Sequence, residues 1–203
     1  MPINDLTRRG ALLGLAATAA ALGPARAARA DAASQASGFV AGLAQELTAL
    51  VNSGRGESQM YAGFESILQR YADMPAVAAS VLGPPWRSAS PAQKQAFVAA
   101  FQHDLSRRYG KQFREYKNAR INVTGARDGG KAGVLVQTTV VRPGQDDIDV
   151  DWQVSARSGS AKVVNLIIEG VSMLANERAE IGAMLEAERG SLDNLIGALR
   201  ARA

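Results

Sequence analysis

Between Ala119 and Glu169 apolar residues return at every second position, and the breaks between the runs are only a few residues long. Ile121 and Val123 form the first run, and Val134, Val136 and Val140 the second. Ile148, Val150, Trp152 and Val154 form the third, and Val164, Leu166 and Ile168 the fourth. A period of two puts successive side chains on opposite faces of a strand, so each run predicts a strand with one apolar face. The links, Asp128-Gly129-Gly130, Pro143-Gly144 and Ser158-Gly159-Ser160, are turn-like and too short for a parallel crossover. The four strands are therefore expected to form an antiparallel meander whose apolar face needs a cover.

The flanking segments supply that cover. Phe39, Val40, Leu43, Leu47, Leu50 and Val51 recur at helical spacing, as do Tyr61, Phe64, Ile67, Leu68 and Tyr71, with a turn predicted over Asn52 to Gly56. A short helix around Pro75 to Leu82 stops at Gly83-Pro84-Pro85. Ser90-Pro91 then starts a helix carrying Phe97, Phe101, Leu105 and Tyr109 in one stripe. After the strands, Gly170 breaks the alternation and Ser172 is placed to cap a helix entering at Met173, with Leu174, Ile181, Met184 and Leu185 apolar. Gly190-Ser191 separates it from a last amphipathic segment through Leu192, Leu195, Ile196 and Leu199. The expected class is α+β, with helices on one face of a curved, about four-stranded antiparallel sheet. Ten of the eleven aromatic residues fall between Phe39 and Tyr116, so ring-bearing helices face a sheet made of Val, Ile and Leu with Trp152 alone.

The first thirty residues stand apart. Met1 to Arg9 is basic, Gly10 to Leu22 is an Ala/Leu/Gly run too short to span hydrocarbon, and Ala25-Arg26-Ala27 and Ala28-Arg29-Ala30 both offer small residues at signal-peptidase spacing. A cleaved export signal over 1–30 and a single domain over 31–203 are expected. Thr7-Arg8-Arg9 resembles a twin-arginine signal, while Ala11 and Leu13 depart from that pattern, so twin-arginine and general secretory routes both stay open. The division changes the charge argument. Of 23 basic and 19 acidic residues, Arg8, Arg9, Arg26, Arg29 and Asp5 lie in the leader, leaving 19 against 18. A mature charge near +1 offers no footprint for nucleic acid. With no cysteine, disulfides, thiolate metal sites and cysteine nucleophiles are excluded.

Polar clusters give no positive sign of catalysis. His103 is the lone histidine, on the polar side of the Phe97/Phe101/Leu105 stripe, and Asp104 points to a different helix face. Asp146, Asp147, Asp149 and Asp151 fail the calcium-loop pattern and read as a solvated strand face balanced by Arg142 or Lys162. Arg107, Arg108, Lys111 and Arg114 form a basic patch at a helix end, where cations suit the macrodipole; contact with lipid phosphate or an acidic docking surface is the functional alternative. No phosphate loop, G-x-S-x-G or H-E-x-x-H is present.

IEGVSM at Ile168 to Met173, with Trp86-Arg87, Asp151-Trp152 and Glu177-Arg178 in order around it, resembles the MlaC family of periplasmic phospholipid-shuttle proteins, auxiliary components of an ABC transport system associated with toluene tolerance. The likeness runs from about Asp31 to about Leu199. It implies a periplasmic, non-enzymatic, monomeric carrier whose sheet and helices enclose an apolar cavity for the acyl chains. The implied partners are phospholipid, an inner-membrane Mla ABC transporter and an outer-membrane lipoprotein–porin complex, with maintenance of outer-membrane lipid asymmetry as the role. No cofactor is implied beyond phospholipid cargo, and some relatives are associated with hopanoids. On that reading the chain-contacting residues on the sheet are Val134, Val136, Val140, Val150, Trp152, Leu166 and Ile168, with Val164 also on the wall. On the helices they are Phe97, Phe101, Leu105 and Met173. Two rivals stay open: a cone-shaped α+β enzyme, which needs an acid or base in the cavity, and an envelope interaction protein with a filled core.

Overall fold

The computed structural model describes residues 23–112 and 116–202, with side chains from residue 29 onward. Arg114 of the basic patch and most of the export leader lie outside the described residues. Four helices come first: α1 (Gly23–Val51), α2 (Glu57–Tyr71), α3 (Met74–Leu82) and the single turn α4 (Pro85–Ser88). The long α5 (Pro91–Gln112) leads into strands β1 (Arg120–Asp128), β2 (Val134–Val141), β3 (Ile148–Ser155), β4 (Lys162–Ile168) and β5 (Val171–Ser172). Helices α6 (Met173–Ala187) and α7 (Leu192–Arg202) close the chain.

Local chemistry sets these boundaries. The Asp73 carboxylate accepts the Ala76 N–H at 3.0 Å and starts α3, with Pro75 in its first turn. Ser90 and Gln93 form a reciprocal capping box at the head of α5: Gln93 N–H donates to Ser90 Oγ, and Ser90 N–H donates to Gln93 Oε1. Glu169 and Gly170 both have positive φ, 50° and 77°, the backbone of a tight two-residue hairpin turn. The chain therefore folds back for one more strand pair, Ile168 against Val171 and Ile167 against Ser172, before α6 begins. Ser172 Oγ then accepts the Ala175 N–H, and Asn165 Oδ1 on β4 accepts that of Leu174, so the start of α6 is fastened to the sheet.

The sheet is an open antiparallel meander in the order β1-β2-β3-β4-β5, one short strand beyond the expected four. Register places Val136 opposite Trp152 and Trp152 opposite Leu166, so these side chains share the inner face. Two irregularities alter the simple alternation. Between Val123 and Gly125 β1 shifts register, and Val123, expected on the apolar face, is 36% exposed. On β4 the pairing passes from Gln153–Asn165 to Val154–Val163, which makes Val164 a bulge and puts Val163 on the inner face with Leu166 and Ile168. At Gly133, φ is 93° and a Cβ would stand 2.1 Å from the Val154 carbonyl oxygen, so only glycine fits.

The core has two parts. Val40, Leu43, Leu47, Phe64 and Ile67 of α1 and α2 pack on Val136, Val140, Val150, Trp152 and Val154 of the sheet. Met74, Val81, Phe97, Phe101, Ile181, Leu195 and Leu199 form a second cluster among α3, α5, α6 and α7. Strand β4 lies where the two meet, and Asp73 N–H donates to the Val163 carbonyl at 3.0 Å, covering part of that strand's edge. The outer face of the sheet is polar: Thr139 donates to Asp149, and Arg127 pairs with Asp151 at 3.4 Å. The expected partners of those aspartates go elsewhere, Arg142 to the Asp146 carbonyl and Lys162 to that of Arg70. No described helix is long and apolar enough to cross a membrane.

Candidate functional site

Two apolar chambers flank β4 and share Leu166 and Ile168 as a partition. The sheet chamber, about 110 Å³, lies between the inner face and the C-terminal half of α1. Its walls include Leu47, Val51, Tyr116, Ile121, Val140, Ile148, Val150 and Trp152. The helix chamber, about 170 Å³, lies on the other side of β4 and is walled by Phe64, Leu68, Met74, Phe101, Leu105, Tyr109, Val163, Met173 and Leu174, with Val164, also expected on the wall, and Glu177 among its lining residues. Another hollow, about 730 Å³ between α1 and α2, is an open trough crossed by the Glu46–Arg70 ion pair. It is too exposed to water to hold an apolar ligand.

Eight of the eleven side chains expected to meet the ligand line a chamber: Val140, Val150, Trp152, Leu166 and Ile168 in one, and Phe101, Leu105 and Met173 with the shared pair in the other. Val134, Val136 and Phe97 line neither. Val136 is fully buried in the cluster that contains Ala36, Val40 and Leu43, where the middle of α1 lies on the sheet, and the half-buried Val134 packs against the same cluster. Toward Leu47 and Val51 α1 leaves apolar space between itself and the inner face. Phe97 stacks on Phe101, with ring centroids 5.7 Å apart, inside the α3/α5/α6/α7 core. Steps of four residues advance a helical stripe by about 40° each, so one stripe serves two neighbours. Sequence reasoning missed the contributions of α1 and α2 to the chambers, although Leu47, Val51, Phe64 and Leu68 belong to its own helical stripes.

Polar atoms near the chambers are engaged. Trp152 Nε1–H donates to Thr138 Oγ1 at 2.9 Å, and the Thr138 hydroxyl donates in turn to the Val150 carbonyl at 3.0 Å, so a tryptophan and a threonine are buried together at no loss of hydrogen bonding. Below the helix chamber, Tyr109 donates to Glu177 Oε1 at 2.7 Å, and Arg108 spans Asp104, Glu177 and Glu180 at 2.8, 2.7 and 3.2 Å. Arg202 returns from α7 to Asp104 at 2.9 Å and to Glu180 at 2.6 Å. Burial opposes the Arg108 charge, and the Glu177 hydrogen bond with the three nearby carboxylates outweighs it, holding the guanidinium above its ordinary pKa. Burial, then the Glu177 charge and hydrogen bond, pushes the Tyr109 phenol up as well. Arg108 thus leaves the basic surface patch and staples α5 to α6, and Arg202 fastens α7 to the same carboxylates. Asp104, which an i, i+1 argument set aside, is their fully buried anchor. His103 is exposed, 3.6 Å from Glu65.

The MlaC protein family matches residues 42–201. The chain belongs to the MlaC family. Its fold agrees with that of the phospholipid-binding protein from Ralstonia solanacearum, solved in complex with a phospholipid, at a TM-score of 0.72 and 20% identity over 83% of this chain and 96% of that one. Within this MlaC-family chain the motif residues take physical roles. Trp86 receives Lys94 over its ring at 5.7 Å, Trp152 lines the sheet chamber, and Glu177 holds Arg108. Arg178 donates to the Ser80 carbonyl near the end of α3 at 3.3 Å, where a cation suits the helix terminus. Among the described residues no group of three or more His, Asp or Glu is arranged to hold a metal.

Proposed function

We propose that the protein is a periplasmic phospholipid carrier that houses one acyl chain on each side of the Leu166/Ile168 partition. The observation that carries this reading is the pair of apolar chambers joined along that partition, in a fold shared with a phospholipid-binding protein. Two chains of about thirty methylenes in all would cost roughly 24 kcal/mol exposed to water, at about 0.8 kcal/mol each, so unassisted transfer between membranes is negligible. Each chamber is smaller than the few hundred Å³ of a typical ligand pocket. Loading therefore requires the helices that cover the two chambers to move away from the sheet. A wall that resembles hydrocarbon gives the chains an environment close to the bilayer, which keeps release possible.

Residues 1–30 act as the cleaved export signal in this reading, and the mature domain works as a monomer between an inner-membrane Mla ABC transporter and an outer-membrane lipoprotein–porin complex. The enzyme alternative asks for an acid or base in the cavity, and Glu177 does line the helix chamber. Both its oxygens are taken by Arg108 and Tyr109, so it serves as a structural anion and not as a base. Ile168→Glu tests the carrier: it places a carboxylate at the partition of a half-buried strand end. The expected result is a folded protein, by circular dichroism, with co-purified phospholipid reduced at least tenfold. A folded variant that keeps the wild-type lipid content would remove the partition from the binding site.

A further inference from the structure

The end of the sheet chamber carries a cation whose arrangement the apolar walls do not explain. Register puts the start of β1, the β2–β3 loop and the end of β4 together, since Arg120 faces Val141, Val140 faces Ile148 and Val150 faces Ile168. Val51, Tyr116, Ile148 and Ile168 line the chamber at this end. Arg142 is the first residue after β2, half-buried, with its guanidinium carbon 5.7 Å from the centre of the Tyr116 ring. Its Nε and Nη2 both donate to the Asp146 carbonyl, at 3.1 and 2.7 Å, which holds the fork across the loop. Among the described residues it has no carboxylate partner and Nη1 makes no hydrogen bond; Arg157 and Arg178 also bond only to carbonyls, but neither stands over a ring that lines a chamber, and Arg70, Arg108, Arg127 and Arg202 are ion-paired.

We propose that Arg142 binds the phosphate of the lipid headgroup at the rim of the sheet chamber. The proposal rests on the phospholipid reading above and adds the group that recognises the head. A guanidinium pre-set by two bonds to one carbonyl loses little freedom on binding and offers its remaining N–H groups to phosphate oxygens. Stacked on a ring that is itself chamber wall, it stands where chains end and head begins. Arg120, one strand over, and Lys117, beside Tyr116, are exposed at the same end and add to the positive field. Asp146 and Asp147 in the same loop, and Asp149 and Glu169 beside the end of β4, are exposed and oppose it, so the site suits a head with one phosphate and not a dense polyanion.

The test compares uptake of a phosphatidylethanolamine and of a diacylglycerol with identical chains from neutral vesicles, for the wild type, Arg142→Gln and Arg142→Lys, with excess inorganic phosphate as competitor. The wild type should prefer the phospholipid about tenfold or more, the scale of a charge-assisted hydrogen bond. Arg142→Gln should lose that preference while taking up diacylglycerol at the wild-type level, which also shows that it folds, and Arg142→Lys should recover part of it. A preference that survives in Arg142→Gln, or a wild type with none, overturns the headgroup site and leaves the carrier reading standing. Uptake of neither lipid by the wild type overturns the carrier reading itself. Competition by inorganic phosphate would mark a free-phosphate site and also defeat the proposal.

Discussion

The two chambers differ in what holds their walls. The sheet chamber is framed by strand pairing and by aliphatic side chains, and its one buried polar group, the Trp152–Thr138–Val150 chain of hydrogen bonds, is neutral and complete. The helix chamber sits on a charged staple in which two arginines bridge three carboxylates across α5, α6 and α7. A ladder of backbone bonds keeps one wall rigid whatever its side chains do, while helices held by side chains can shift against each other. The contrast assigns the fixed wall to the sheet and the adjustable one to the helices.

The largest effect should come from plugging either space. Val51→Trp in the sheet chamber and Leu174→Trp in the helix chamber each deny room to one chain of about fifteen methylenes, roughly 12 kcal/mol of burial at about 0.8 each. Each variant should lose diacyl lipid and retain a single-chain lysolipid, read by mass spectrometry of extracts. Equal retention of diacyl lipid by both would dissolve the two-chamber picture. Next is Arg108→Met, which leaves the buried Asp104 and Glu177 short of a partner and should cost about 3 kcal/mol in urea denaturation. Thr138→Val strands the buried Trp152 N–H and should cost about 1–2 kcal/mol while leaving the helix chamber unaltered.

The smallest effect concerns pH. The Tyr109 phenol is held above its ordinary value of 10.0 by burial and Glu177, so its contribution is complete below pH 10 and fades as pH rises above it, when the unfolded chain ionises and the folded one resists. Tyr109→Phe should cost about 1 kcal/mol at neutral pH and flatten the stability profile between pH 10 and 11. An unchanged alkaline slope would separate Tyr109 from the staple.

How legible each region was in the sequence follows from the same contrast. Period-two runs and short turns disclosed the strands, and Ser90-Pro91 and Gly170 to Ser172 disclosed the helix starts, because those signals act within a few residues. The bulge at Val164 was not legible, since one extra residue leaves a run of apolar side chains looking continuous while it brings Val163 to the inner face, and Val164 still lines the helix chamber. Val136 and Phe97 have the right parity for a wall, yet whether a wall faces space or another side chain depends on where α1 and α7 come to rest. Arg108 read as a surface cation because its partners Glu177 and Glu180 lie some seventy residues away in the chain. What local pattern could not supply, the IEGVSM resemblance did for the family, and the family match over residues 42–201 agrees with it.

The central claim is that this chain holds phospholipid between sheet and helices, and the most direct measurement is mass spectrometry of a solvent extract of the mature protein purified without added lipid or detergent. The account predicts diacyl phospholipid at close to one molecule per protein in the wild type, falling at least tenfold in Ile168→Glu. A folded wild-type protein that yields no lipid and takes none from vesicles would contradict it.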